Sequence, residues 1–194
     1  MSVEFDEKRA KELVLLFVNG ETSAFSALYD LSIKMVYRTT ALLLKNSVDT
    51  SDVVQDIYIQ LFHSLSNYDV TRSFKLWLLG VVYKQVSAYR RKVWLSIRLV
   101  EKLNTNHQVQ PKLHDQNQLD YVEREQIEQL LNQLSYKHRQ VIILKYFNDL
   151  SQEAIAQLLD VPVGTVKSRL NSALRKLRGE YREFMQLTGL KEVK

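Results

Sequence analysis

Between Val161 and Arg178 the chain carries Lys167, Arg169, Arg175, Lys176 and Arg178 and no acidic residue. A run of cations without counter-charges suits the neutralisation of phosphates along a nucleic-acid backbone. Gly164, Thr165, Lys167 and Ser168 open the same run, and residues of this size and polarity reach base edges in a major groove. The plainer reading is a surface helix pair with a solvated basic face, against which the adjoining turn and the charge asymmetry both weigh. No catalytic constellation competes. His63, His107, His114 and His138 are scattered, and His114-Asp115 lacks further ligands at metal spacing. There is no cysteine, which excludes disulfides and thiolate chemistry. No metal and no cofactor is expected, and the chain is not read as an enzyme.

These groups need a rigid frame. Ser151 is a candidate N-cap for a short helix whose apolar face holds Ile155, Leu158 and Leu159. Asp160-Val161-Pro162 interrupts it, and Pro162 suits the first turn of a second helix because its missing N–H is not needed there. That second helix packs through Val163, Val166, Leu170, Ala173, Leu174 and Leu177. Two helices around a tight turn, the second basic, make a helix-turn-helix.

Charge is segregated upstream as well. From Ser47 to Val70 the charged residues are Asp49, Asp52, Asp56 and Asp69; from Thr71 to Leu99 they are Arg72, Lys75, Lys84, Arg90, Arg91, Lys92 and Arg98. Asp52 and Asp56 stand one helical turn apart beside Gln55 and Gln60, a polar acidic ridge that is either a solvated face or a protein-binding one. The pattern predicts a helix from Asp49 to Leu65, with Val53, Ile57, Leu61 and Leu65 four residues apart and Val54, Tyr58 and Phe62 beside them. A polar interruption at Ser66–Asp69 follows, then a helix from about Ser73 to Lys92. Its cations alternate with Phe74, Trp77, Tyr83, Tyr89 and Trp94, the combination that single-stranded nucleic acid requires. Core packing at helical spacing is the competing explanation for Trp77 and Tyr83, and for Trp77 the favoured one.

The whole chain has 194 residues, a net charge of +5, 45% apolar and 25% charged residues, and only five Gly and two Pro. With almost no strand-like alternation, this predicts an all-α fold of two small helical domains. Residues 5–46 read as an amphipathic helix, a break near Asn19-Gly20, and a second helix with Phe25, Leu28, Tyr29, Ile33, Val36 and Tyr37 on its apolar face. The Asn- and Gln-rich stretch 104–118 reads as a flexible linker, with periodicity resuming near Tyr121. The start of the chain, with Glu4, Asp6, Glu7 and Glu12, is unlike a signal peptide, and no apolar run is long enough to span a bilayer. A cytoplasmic protein without membrane insertion is expected.

The runs Asp52–Tyr58, Phe74–Leu78 and Tyr89-Arg90-Arg91 resemble region two of the extracytoplasmic-function sigma factors. The helix-turn-helix, preceded by Leu134–Val141, resembles their region four. The likeness covers most of the chain in the right order. The family usually has Gly where this chain has Asp160, and Glu where it has Ala154. The resemblance implies a sigma factor with region two at 1–95, a linker at 96–119, region four at 120–187 and a tail at 188–194. It implies RNA polymerase core (the β′ and β subunits) as partner, docked through Asp52, Gln55, Asp56 and Gln60. It further implies −10 element contacts from Asn67, Tyr68, Asp69, Arg72, Lys75, Lys84, Arg90 and Arg91. The −35 element would be read by Gly164, Thr165, Lys167, Ser168, Arg169, Arg175 and Lys176, and an anti-sigma factor would control the protein. The alternatives are a helix-turn-helix repressor or activator binding a palindrome as a dimer, which leaves the acidic ridge and the aromatic-basic helix unexplained, and an anti-sigma or adaptor protein that mimics the fold, which would not need an intact basic recognition helix.

Overall fold

The structure, a computed structural model, describes residues 5–45, 48–102 and 128–188. Every regular element among them is helical, as the scarcity of Gly, Pro and alternating patterns requires. Two compact units divide the chain, residues 1–113 and 114–194. The Asn- and Gln-rich stretch, the resumed periodicity near Tyr121 and residues 189–194 lie outside the described residues. No helix among the described residues is long and apolar enough to cross a membrane.

The first unit packs four helices: α1 (Glu7–Val18), α2 (Ser23–Leu44), α3 (Thr50–Ser64) and α4 (Phe74–Lys102). Asp6 caps α1 by accepting from the Arg9 amide at 2.9 Å. Gly20, at φ 102°, makes the break expected beside Asn19. In α2 the buried stripe is not the one the apolar residues alone suggest. Leu28, Ser32, Val36, Thr40 and Leu43 face inward, whereas Tyr29 and Tyr37 are 40% and 42% exposed. Buried hydroxyls are tolerated because they bond back one turn, Ser32 Oγ to Leu28 O at 2.7 Å and Thr40 Oγ1 to Val36 O at 2.8 Å. Ser32 Oγ also lies 2.9 Å from the Tyr58 hydroxyl, joining α2 to α3. Tyr29, though partly exposed, packs its ring on Tyr58.

The expected stripe is buried throughout, Val53, Ile57 and Leu61 within α3 and Leu65 directly after it. A tight 3-10 turn at Leu65–Asn67 ends the run. Helix α4 continues to Lys102 rather than Lys92, since nothing between Val93 and Lys102 is a Gly or Pro. The boundary expected at residue 95 therefore falls within a helix.

In the second unit, helical residues 128–133 lead through the N-cap Ser135 into α5 (Tyr136–Ile142). This widens into a π-helical turn at Ile143–Phe147. Asn148 then bonds through both its amide and its carboxamide to Ile143 O, at 3.1 and 3.3 Å, and Asp149 reverses the chain at φ 54°. The pair α6 (Gln152–Leu159) and α7 (Val163–Thr188) follows. Ser151 caps α6 as expected, its hydroxyl accepting from the Ala154 amide at 3.0 Å. Asp160 stands at φ 51°, ψ 55° and closes α6. Val161 N bonds to Ala156 O at 3.0 Å and Asp160 N to Gln157 O at 3.4 Å, the pairing of a left-handed helix stop. Pro162 O then accepts from Thr165 and Val166, so the proline sits just ahead of α7 and starts it.

A left-handed residue without glycine is tolerable for Asp and costly for a β-branched side chain. Asp160→Gly should therefore leave the unfolding free energy nearly unchanged, while Asp160→Val should lower it by about 1–2 kcal/mol. Urea denaturation followed by circular dichroism checks this, and equal stabilities of the two variants would remove the conformational argument.

Candidate nucleic-acid and protein interfaces

Burying Val166, Leu170 and Ala173 of α7 turns the opposite face outward. Gly164, Lys167, Ser168, Asn171, Arg175 and Arg178 are all exposed, and their spacing of three, one, three, four and three residues keeps them on a single helical face. Of the residues expected to meet duplex DNA, Gly164, Lys167, Ser168 and Arg175 belong to this face. Thr165 and Arg169 are half-buried at its flank. Lys176 is engaged elsewhere, donating from Nζ to Gln133 O at 2.8 Å at the end of helical residues 128–133. Asn171 and Arg178 were not among the expected contacts, although extending the Gly164–Lys167–Ser168 spacing by one turn and then two finds them.

On α3 the ridge Asp52, Gln55, Asp56 and Gln60 is exposed along its whole length. Ile59 lies in the middle of it, 57% exposed, and Phe62 flanks it at 43%. Phe62 is held by Phe17 and Phe25, each 5.1 Å away in an edge-on arrangement. An apolar centre with a charged rim is the anatomy of a protein-binding patch rather than of a merely solvated face. The signal in the sequence was an isoleucine off the buried four-residue stripe.

The loop between the 3-10 turn and α4 is built from its own side chains. Tyr68 is buried against Phe74 and Trp77, with ring centroids 5.3 and 5.1 Å away, and its hydroxyl donates to Arg72 O at 2.6 Å. Burial, together with the nearby Glu7 and Asp69 charges, pushes the phenol up to about 12. Asp69 Oδ1 accepts from Thr71 Oγ1 at 2.7 Å and from Thr71 N at 3.0 Å, and Oδ2 pairs with Arg72 Nε at 3.4 Å. The outward-facing groups are thus Asn67, Asp69, Val70, Thr71 and Arg72. Tyr68 forms the floor beneath them.

Along α4 the cations do not share one face. Lys84, Arg91 and Arg98 recur every seven residues and are exposed, whereas Lys75 and Arg90 are half-buried off that line. Of the interleaved aromatics, Phe74 and Tyr83 are core residues, so for Tyr83 the packing explanation holds. Trp77 is half-buried under the loop. Tyr89 donates to Asp49 Oδ2 and ties α4 to the start of α3. Only Trp94, 51% exposed with the Arg98 guanidinium 4.1 Å from its ring centroid, presents a surface of the kind expected for stacking.

With this geometry in view, the likeness to known proteins is specific. The sigma-70 region 2 family matches residues 28–95 and the sigma-70 region 4 family residues 124–177. The ECF RNA polymerase sigma factor SigL of Mycobacterium tuberculosis is 30% identical over 82% of this chain and 89% of its own length. The ECF RNA polymerase sigma factor SigW of Bacillus subtilis is 26% identical over 92% of this chain and 100% of its own. Among solved structures, the sigma factor RpoE in complex with the anti-sigma factor NepR from Bartonella quintana aligns with a TM-score of 0.65 at 20% identity. That alignment covers 87% of this chain and 98% of the other.

The Asp69 turn has a pH signature. The Thr71 hydroxyl and amide bonds, then the Arg72 charge, hold the Asp69 carboxyl below its ordinary 3.8. A depressed carboxylate supports the turn at neutral pH and loses that support as pH falls through its lowered value. The Thr71 amide shift in an NMR titration should follow a midpoint below 3.8, and Asp69→Asn should abolish it; a midpoint at or above that value would break the assignment.

Proposed function

The chain belongs to the extracytoplasmic-function sigma factors of the sigma-70 family, and from that membership we propose how its surfaces divide the work of promoter recognition. The α3 ridge docks on RNA polymerase core, the family's contact being with β′. The Asn67–Arg72 loop and the Lys84–Arg91–Arg98 line of α4 engage the −10 element, the loop taking a base out of the duplex. The exposed face of α7 enters the major groove at the −35 element. Region four accordingly acts on duplex DNA and region two on DNA as it opens. The protein works in the cytoplasm as a dissociable specificity subunit without catalytic activity of its own.

The observation that carries this reading is Ile59 among Asp52, Asp56 and Gln60. A duplex-binding regulator has no use for an acidic ridge with an apolar centre, whereas a subunit that docks on a large protein does. An anti-sigma factor is the proposed controlling partner; the Bartonella quintana neighbour is recorded with one.

Reversing charge at both Asp52 and Asp56 to Lys should weaken core-polymerase binding by about tenfold or more and leave helicity unchanged. Unaltered affinity in a pulldown and titration would sink the docking assignment. On the DNA side, Asn171→Ala should cost about 1–3 kcal/mol on −35 duplex if the carboxamide reads a base, with relaxed preference at one position. Arg175→Ala should instead lower affinity for all sequences alike and reduce the salt slope by about one. Measuring both variants against a panel of −35 duplexes at several salt concentrations separates the roles, and a sequence-independent loss for Asn171→Ala would assign it to the backbone.

A further inference from the structure

We propose that Glu7 is a positioning residue for strand capture: its carboxylate, carried on α1, clamps the start of α4 and thereby sets the shape of the Asn67–Arg72 loop. This rests on the reading of that loop as the −10 contact and deepens it. Glu7 is half-buried, and its Oε1 accepts from the Phe74 amide. Its Oε2 accepts from the Lys75 amide at 3.1 Å and from Ser73 Oγ at 3.4 Å. Ser73 Oγ in turn accepts from the Leu76 amide at 3.2 Å. The first three amides of α4 are thus met by two side chains, one of them from the other end of the unit's sequence.

The first turn of α4 has no acidic residue of its own, and none occurs between Thr71 and Leu99. A helix start favours an anion, and in a stretch kept free of acid the anion has to come from outside it. Glu7 supplies one directed into the amides. From there the contacts run to the loop. Phe5 stacks on Phe74 at 6.3 Å, Phe74 meets the Tyr68 ring edge-on at 5.3 Å, and the Tyr68 hydroxyl holds Arg72 O. Releasing Glu7 frees the start of α4 and, through Phe74 and Tyr68, the carbonyl that closes the loop. A loop that must receive an extruded base loses affinity when it has to be ordered at the moment of binding.

The test uses the full-length protein reconstituted with core polymerase, on a promoter recovered by run-off transcription of genomic fragments. Glu7→Ala, Glu7→Gln and the same-helix control Glu12→Gln are compared with wild type on duplex DNA and on a template mismatched across the −10 region. Permanganate reactivity reads opening of the duplex and run-off transcription reads activity on the mismatched template, with core affinity and thermal melting measured alongside. Glu7→Ala should open the duplex about tenfold less, Glu7→Gln should fall between it and wild type, and Glu12→Gln should match wild type. On the mismatched template all should lie within about twofold of wild type, because the captured strand is already free. Wild-type opening by Glu7→Ala overturns the proposal. So does an equal loss on both templates that tracks a lowered melting temperature, which marks a merely structural residue; if Glu7→Ala does not fold, Glu7→Gln alone decides. A loop variant, Asn67→Ala with Arg72→Ala, separates the two levels. If it opens duplex DNA normally the loop reading fails, and if it is defective while Glu7→Ala is not, only the positioning role fails.

Discussion

Every α-helix starts with amides and ends with carbonyls that it cannot satisfy from within, and the way this chain satisfies them decides where its functional faces point. At the start of α4, Glu7 and Ser73 fill the amides immediately after the Asn67–Arg72 loop. Ser151 fills them at the start of α6, and Asp160 in its left-handed conformation closes the same helix two residues before Pro162 launches α7. Because a single left-handed residue closes α6, a side chain several turns along α7 inherits its direction from Asp160. Lys176 applies the same rule in reverse by donating to the carbonyl end of helical residues 128–133. Lys176, a cation expected on DNA, in this way ties α7 to helical residues 128–133 of its own unit.

On the proposed reading, the charge pattern follows from what each face meets. A surface that approaches phosphates can tolerate acids only where they are already bound, as Asp69 is by Thr71 and Arg72. On that reading, the face that docks on protein gains more from an exposed apolar centre, which Ile59 provides, with the carboxylates around it selecting a basic partner and steering the approach. In helices this separation is achieved by burying one stripe thoroughly. Ile57 and Leu61 of α3 and Val82 and Val86 of α4 are inaccessible, so the remaining positions are free to carry whatever a partner requires.

Features that depend on near neighbours were legible in the sequence. The Ser151 cap, the Asp160 stop, the Asn19-Gly20 break and the four-residue stripe of α3 each follow from residues within one or two turns of each other. Features that depend on distant partners were not. The aromatics among the cations of α4 looked alike, yet Phe74 and Tyr83 went to the core, Tyr89 to Asp49, and only Trp94 to the surface. Which of them packs is decided by α1, α2 and α3, not by spacing within α4. Tyr68 has the composition of a loop residue and the burial of a core one because Phe74 and Trp77 lie across the turn from it. In α2, serine and threonine displaced tyrosine from the interior, since a hydroxyl that bonds back to its own helix is easier to bury than a phenol that must find a partner. The place of Asn171 on the exposed face of α7 follows from periodicity alone, although it carries no charge to mark it.

On the proposed reading, strand opening without a chemical fuel becomes a question of differential affinity. A protein shifts the duplex towards the open form only by the amount by which it binds the open form better. Extruding a base costs a few kcal/mol, so the capturing loop cannot also meet a large ordering cost at the same moment. That demand explains the density of internal bonds in so short a segment: two from Thr71 to Asp69, one from Tyr68 to Arg72 and an ion pair from Arg72 to Asp69, over an aromatic floor. Rigidity prepared during folding is drawn on during binding, and the exposed Asn67, Val70 and Thr71 are left to meet the strand. The Lys84–Arg91–Arg98 line adds attraction for phosphates that is indifferent to sequence. By itself it would bind closed and open DNA alike, so the direction of the shift has to come from the loop.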